Sequence, residues 1–484
     1  MTARLAAAAD RTPAEKRLIL LTILLSTGVI ALSATSLSTA VPVVAADLGD
    51  LASFPWLFTA YQICLLVSIP IYSKLADRFG RKPLVIIGIV VFLAGSILAG
   101  ASWSMPALIG FRALQGLGAG AIQPIATTIA GDVFHGAERA RIQGYIGTLW
   151  AGFQVLGPLI GGLLVQFVHW RWIFYLNLPV CLVSLGLLVW VYRDRITPKA
   201  EPIDYRGSAL LALGSTLVIL GLLGGGRYWD WLSPWSIGCF GLGAVALVVL
   251  GLAERGRPYA VLPAWLFTNR GILACVLVAL VTGSTLLGMS SYIPLFLQRG
   301  GGIGPTVAGL ALAGCSLGWA LGSNAMRLVV QRIGFRWTCC LGLLCAAAGA
   351  GSLVACSWLP PQPWVVGACI VLFGLGAGIS GSAAMIAAQS QVEAHRRAVA
   401  TGAVVMGRSG GNLLGAATFG AIATAAAGGA AGLNAAPPPL IVDATRDVFV
   451  AVAVVCLLGA LAATRLPNRG FDLLPVVVEP AAPE

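Results

Sequence analysis

Ser73-Lys74-Leu75-Ala76-Asp77-Arg78-Phe79-Gly80-Arg81-Lys82 is the stretch on which the fold turns, because half of its ten residues are charged in a chain where only 10% are. Apolar runs on both sides are each long enough to cross a bilayer. A segment this polar has no place in hydrocarbon, so it reads as a tight turn at the water interface. Short basic loops face the cytoplasm. Within the turn, Asp77 can pair with nearby arginines or with the positive N-terminal end of another helix, and Gly80 permits a sharp reversal. Those properties describe a latch at the mouth of a helix bundle. A plain topology signal competes with that reading, since positive charge alone satisfies the orientation rule.

Composition agrees with a membrane setting. The 484 residues are 58% hydrophobic and the mean hydropathy is positive, which places the chain in the integral membrane class. We read fourteen apolar spans, the first at 18–41 and the last at 446–466, each near the length of about 20 residues that a crossing needs. With both ends inside a cell (inner) membrane, 24 of the 30 Lys and Arg residues fall on the inner side, and only Arg171, Arg227, Arg299 and Arg446 fall outside. Arg112 and Arg408 lie within spans. That asymmetry follows the positive-inside rule and checks both the helix count and the orientation. The net charge of +12 therefore points to the lipid bilayer as partner and not to nucleic acid.

Several chemistries are excluded. The eleven cysteines fall within spans without a Cys-x-x-Cys pair, so they read as small packing residues and not as metal ligands or disulfides. The first apolar run is too long for a cleavable signal. No Gly-Lys-Ser/Thr occurs, and the lysines are only Lys16, Lys74, Lys82 and Lys199, so no phosphate-binding loop for ATP is present. No loop is long enough to hold an enzymatic domain, and no cluster of histidines and carboxylates marks a catalytic or metal centre.

The chain repeats itself. Leu75 to Gly80 returns in weaker form as Val329 to Gly334, an offset of 254; Gly116-Leu-Gly-Ala-Gly120 returns as Gly374-Leu-Gly-Ala-Gly378, an offset of 258; the glycine-rich Gly157–Gly161 returns at Gly411–Gly415, offset 254 again. Matches in one order at nearly one offset imply two parallel six-helix halves, 18–192 and 255–466, with two helices inserted at 193–254 and tails at 1–17 and 467–484. Parallel halves related by an axis along the membrane normal place a binding site between them near the midplane.

Four stretches carry a family resemblance. Ser73 to Lys82 resembles the loop after the second helix of major facilitator transporters, with Ser73 where glycine is usual. Leu108-x-x-x-Arg112-x-x-Gln115-Gly116-x-Gly118 is similar to the fourth-helix signature, and Gly152-x-x-x-x-Gly157-Pro158-x-x-Gly161-Gly162 to the antiporter signature of the fifth. Trp170-Arg171-Trp172-Ile173-Phe174 to Asn177-x-Pro179 resembles the entry to the sixth. Together they cover most of the first half and resemble the fourteen-helix drug:proton antiporter (DHA2) branch of the major facilitator superfamily. The resemblance implies an all-α integral membrane protein that moves its substrate by alternating access.

Candidate site residues follow from both lines. A permanently charged guanidinium within a span must be buried and bonded, so Arg112 is expected to face the bundle interior, either coupling proton movement to conformational change, as the resemblance implies, or stapling two helices. Gly152, Gly157, Pro158 and Gly161 strip side chains from one face of the fifth span and kink it, which suits a hinge. Asp77, Arg78, Gly80 and Arg81 form the turn, and Asp132 at the inner end of the fourth span is a carboxylate that burial would make a proton carrier. Arg408 lies mid-membrane, and the offset of 254 pairs it with Gln154 across a central cavity. Gln62, Gln123, Gln143 and Gln389 are further cavity candidates or helix-to-helix hydrogen bonds. Ser33 is counted with the cavity residues: aligned on Ala40-Val41-Pro42, it stands where fourteen-helix relatives often carry an acidic residue, and serine does not titrate.

The function expected is secondary export of small organic molecules, drug-like or metabolite, by proton antiport, with no cofactor and as a monomer. An importer or facilitator of a neutral or anionic solute, or a non-transporting membrane sensor, is the alternative. Two arginines without a central carboxylate would favour neutral or anionic substrates over lipophilic cations.

Overall fold

The structure is a computed structural model. It describes residues 12–37, 40–48, 56–134, 136–194, 205–224, 229–230, 232–254, 260, 263, 265–393, 396–427 and 437–468. Arg227, His135, His395 and the outermost parts of both tails lie outside the described residues.

Helices make up the regular structure. The N-terminal set is α1 (Pro13–Ser36), the short α2 (Val41–Leu48), α3 (Trp56–Phe79), α4 (Arg81–Gly100), α5 (Met105–Val133), α6 (Gly136–Phe167), one turn α7 (Trp172–Tyr175) and α8 (Asn177–Val191). An inserted pair follows, α9 (Tyr205–Gly224) and α10 (Pro234–Ala253). The C-terminal set is the short α11 (Trp265–Thr268), α12 (Arg270–Leu295) with its π-helical end Phe296–Gly300, α13 (Pro305–Cys356), α14 (Pro363–Ser390), α15 (Arg397–Ala426) and α16 (Pro438–Ala463). Among the described residues, ten helices are long and apolar enough to cross a membrane. The helices α5 and α15, of 29 and 30 residues, match them in length but are more polar, because they lie deep in the protein.

Local signals explain the helix starts. At α1, the Thr12 hydroxyl accepts from the Glu15 amide at 3.2 Å while the Glu15 carboxylate accepts from the Thr12 amide at 3.0 Å, a reciprocal capping pair that satisfies two of the free first-turn donors. Proline occupies the first turn of α5, α10, α13, α14 and α16, where its missing N–H costs nothing.

The charged stretch Ser73–Lys82 is tighter than the turn expected from sequence. Helix α3 runs through Ser73 to Phe79, and α4 begins at Arg81, so Gly80 alone breaks the chain, at φ 96°. The stretch stays helical because Asp77, Arg81 and Lys82 find partners on neighbouring helices, leaving no need for an extended loop. The same device recurs 254 residues on, where Gly334 interrupts α13 at φ 76°. Non-glycine residues rarely enter this left-handed region.

The glycine repeats are close-packing seams. A Cβ on Gly118 would strike the α4 backbone at Phe92, and one on Gly120 the α3 carbonyl of Leu65. Gly376 and Gly378 stand against the two limbs of α13, at Gly342 and Trp319, in the same way. Without side chains between them, backbones approach closely and gain dispersion contacts that lipid cannot replace. Trp103, Trp190, Trp235, Trp358 and Trp364 are largely exposed near helix ends, as an interfacial belt requires. Trp170 is instead buried at 1% exposure and donates its ring N–H to Asp47 at 2.9 Å. That hydrogen bond, with the nearby Arg171 guanidinium, holds the Asp47 carboxyl below the usual carboxylate range.

The inserted pair packs along the seam between the two sets. Ile219 of α9 shares one buried cluster with Ile63, Leu66 and Val67 of α3 and Leu413 of α15. Leu242, Val245 and Val248 of α10 remain exposed, the face that lipid would cover.

Replacing Gly334 by alanine forces a left-handed backbone on a residue with a Cβ and is expected to destabilise the protein by about 1–2 kcal/mol. Gly80→Ala is expected to cost more, since its new Cβ would also collide with the Asp194 carboxylate. Thermal melting of the detergent-solubilised protein checks both, and an unchanged melting temperature in either variant would contradict the strain.

Candidate functional site

A buried ionic cluster ties the two helical sets together at one end. The Asp77 carboxylate accepts from the backbone amides of Ala398 at 3.3 Å and Val399 at 3.0 Å. Those amides sit in the first turn of α15 and have no acceptor within their own helix, and the helix dipole favours an anion there. Arg81, with no exposed side-chain surface, pairs with Asp77 at 2.9 Å and with Asp132 at 3.3 Å. Asp132 also pairs with Arg397 of α15 at 2.8 Å. Arg139 of α6 donates to the Gln389 side chain of α14, and Gln389 in turn donates to Thr127 of α5 and Thr401 of α15.

Asp194 completes the cluster and was not visible in the sequence reading. Gly80 has no side chain to cap α4, so Asp194, arriving from beyond α8, accepts from the Arg81 and Lys82 amides instead. The signal for it was only an Arg-Asp pair at a span end, with nothing to say which helix it would reach. Three carboxylates and three guanidinium groups thus meet in one place and balance, which is what makes their burial affordable. Arg78 lies over the Phe79 ring at 4.9 Å and enters none of these pairs.

Deeper in the N-terminal set, Arg112 is 1% exposed. Its guanidinium donates to the Leu57 carbonyl at 3.2 Å, the Ser33 hydroxyl at 3.2 Å and the Gln115 side chain at 2.8 Å, and it stacks over Tyr61 at 4.3 Å. Gln115 is held in turn by Ser96 at 2.6 Å. Neutral acceptors and an aromatic face surround this cation. Ser33, expected on a cavity wall, belongs to this network.

Between the two sets lies a cavity of about 770 Å³, inside the range of about 300–1,000 Å³ usual for small-molecule sites. One face of α6 contributes Gln143, Gly147, Trp150, Gln154 and Pro158, and one face of α15 contributes Val405, Arg408, Ser409 and Asn412, both at helical spacing. Gln62 and Gln123 also line it, whereas Gln389 lies in the ionic cluster. Gln154 and Arg408 share this space, as their positions in the repeat suggested. Arg112 does not reach it, so the two-arginine cavity expected from sequence reduces to one guanidinium. Among the described residues the wall carries no Asp, Glu, His or Lys.

The glycines of α6 divide. Gly157 packs against Thr35 of α1, whose hydroxyl donates to the Phe153 carbonyl at 3.0 Å, and Gly161 is buried. Gly152 has open space where a Cβ would stand. Asp132 is engaged by Arg81 and Arg397 and does not line the cavity.

Residues 23–416 match the family model of the Major Facilitator Superfamily. Multidrug resistance protein 3 of Bacillus subtilis (strain 168) is 30% identical over 413 residues, 85% of this chain and 80% of that protein. Multidrug transporter protein MdtP of the same organism is 30% identical over 398 residues, 82% and 73% of the two chains. Among solved structures, the proton:xylose symporter XylE bound to 6-bromo-6-deoxy-D-glucose aligns with a TM-score of 0.65 at 12% identity, covering 96% of this chain and 99% of that one. The human organic anion transporter MFSD10 aligns at 0.62 and 15% identity, covering 93% and 100%; at such identities the likeness concerns the fold alone. The chain belongs to the Major Facilitator Superfamily. It is a multi-pass membrane transporter and not an enzyme.

Removing the charge of Asp77 with Asp77→Asn is expected to loosen the start of α15 by about 1–2 kcal/mol. Hydrogen exchange read by mass spectrometry should then quicken roughly tenfold at the Ala398 and Val399 amides. Unchanged exchange would mean that Asp77 does not hold that helix end.

Proposed function

We propose that the protein exports small organic molecules by alternating access, driven by proton antiport. The observation that carries this reading is one-sided closure: among the described residues, the hydrogen bonds and ion pairs that join the two helical sets concentrate at the Asp77 end of a cavity lying between them, with one more, from Asn324 of α13 to Thr148 of α6, beside the cavity wall. A site sealed at one mouth by reversible polar contacts suits a cycle in which each mouth opens in turn.

The relatives named as multidrug proteins favour organic substrates and export. Separating α13 at Gly334 and adding α5, α9 and α15 to the apolar helices gives fourteen crossings, the number of the DHA2 branch, in two six-helix halves with α9 and α10 between them. With both ends cytoplasmic in a cell membrane, the closed mouth faces the cytoplasm. The protein works as a monomer, without ATP or a cofactor.

Since carboxylates are absent from the described cavity wall, proton coupling is assigned to the ionic cluster. Protonating Asp77 or Asp132 would remove the charge that holds α15, release Arg81 and Arg397 from their partners, and free the closed mouth. Arg112 and its network keep α1, α3 and α5 moving as one body, while Gly157, Pro158 and Gly161 let α6 bend on α1.

Flux in proteoliposomes tests this reading. Ethidium, N-dansyl-norleucine and its methyl ester serve as cationic, anionic and neutral probes, each with and without an imposed pH gradient. Transport of at least one probe should rise several-fold with the gradient, collapse with a protonophore, and lose its gradient dependence in Asp77→Asn. Transport indifferent to the gradient would overturn proton antiport.

A further inference from the structure

Arg408 is the one fixed charge on the described wall of the central cavity, and it has no hydrogen-bond or ion-pair partner among the described residues. The three arginines that are buried among the described residues are all bonded: Arg81 by two carboxylates, Arg112 by a carbonyl, a hydroxyl and an amide, Arg139 by Gln389. A guanidinium at membrane depth costs several kcal/mol unless compensated. Its backbone is also pinned, since a Cβ on Gly283 of α12 would strike the Arg408 carbonyl. The charge is therefore presented into the cavity from a rigid point.

The rest of the wall describes the body of the missing partner. Trp150 and Trp319 supply aromatic surface, Leu286 and Leu310 apolar surface, and Gln123 and Gln154 hydrogen-bonding groups without charge. A lipophilic cation would find no carboxylate here and would meet Arg408 with repulsion. A neutral molecule would leave the guanidinium uncompensated. An oxyanion would form charge-assisted, bidentate hydrogen bonds with it, the strongest class available to a neutral-walled pocket.

We propose that the cavity is a site for an amphipathic organic anion, whose carboxylate-type head pairs with Arg408 while its aromatic or apolar body lies against Trp150 and Trp319. The proposal rests on the transport reading only in taking this cavity as the substrate site. It narrows that reading from organic molecules at large to one charge class.

Equilibrium binding to the purified full-length protein tests it, without any gradient. Quenching of tryptophan fluorescence is titrated with N-dansyl-norleucine, with its methyl ester and with ethidium. The wild-type protein should bind the carboxylate at least roughly tenfold more tightly than the ester, and more tightly than ethidium. In Arg408→Gln that carboxylate-to-ester ratio should fall to near one, and in Arg408→Lys a substantial part of it should survive, which separates charge recognition from misfolding. Equal binding of carboxylate and ester, tighter binding of ethidium, absence of saturable carboxylate binding to the wild-type protein, or a ratio that persists in Arg408→Gln each overturn the proposal. Gradient-driven flux that ignores probe charge would leave the export reading standing while this inference fell. Arg408-dependent carboxylate binding without gradient-driven flux would do the reverse.

Discussion

A guanidinium that cannot reach water must be met by something inside the protein, and that requirement organises this structure. Arg81 has no exposed side-chain surface and is held between Asp77 and Asp132. Those carboxylates are drawn in turn to Arg397 and to the first-turn amides of α15. The contacts belong to helices from both ends of the chain, so compensating one buried cation joins the two helical sets at one end of the cavity. In bulk water such pairs would contribute little; enclosed among helices, each partner becomes costly to remove. Loss of either carboxylate's charge would remove one of the two ion-pair partners of Arg81 and leave a buried cation under-compensated.

Glycine supplies the complementary constraint. Close seams at Gly118 and Gly120, and at Gly376 and Gly378, bring the helix backbones within each set into direct contact. The left-handed breaks at Gly80 and Gly334 turn the chain within a single residue, keeping the charged helix ends close beside their partners. Helix α15 connects the two functional regions, since its first turn is gripped by Asp77 and Arg408 follows nine residues after Val399, a distance of about 14 Å at about 1.5 Å per residue. Movement at the closed mouth and occupation of the cavity therefore act on the same rigid rod.

Much of this was legible in the linear chain. Run lengths and the distribution of Lys and Arg specified a multi-pass protein, the offset of 254 between Gly80 and Gly334 specified a duplicated architecture, and Asp77 was readable as a partner for a helix N-terminus. A charge in a span announces that it needs a partner, so Arg112 and Arg408 stood out at once. Asp194 and Arg139 did not, because a charged residue near a span end looks like ordinary interfacial decoration until its neighbour is known. Arg112 and Arg408 likewise looked equivalent, although one is sequestered by Ser33, Leu57 and Gln115 and the other lines the cavity.

By itself, then, the sequence determined the solvent of each segment, the helical periodicity, the internal duplication and the identity of the costly buried charges, since hydrophobic length and glycine spacing act locally along the chain. Only the tertiary structure decided which charge answers which, that Asp194 replaces the absent cap of Gly80, and that Arg408 lines the cavity while Arg112 does not. Those outcomes depend on contacts between residues more than a hundred positions apart, such as Arg81 with Asp194 or Asp77 with Val399. Nothing in local propensity encodes a pairing across that distance; helix packing does, by bringing two distant charges into one low-dielectric enclosure where they must compensate each other.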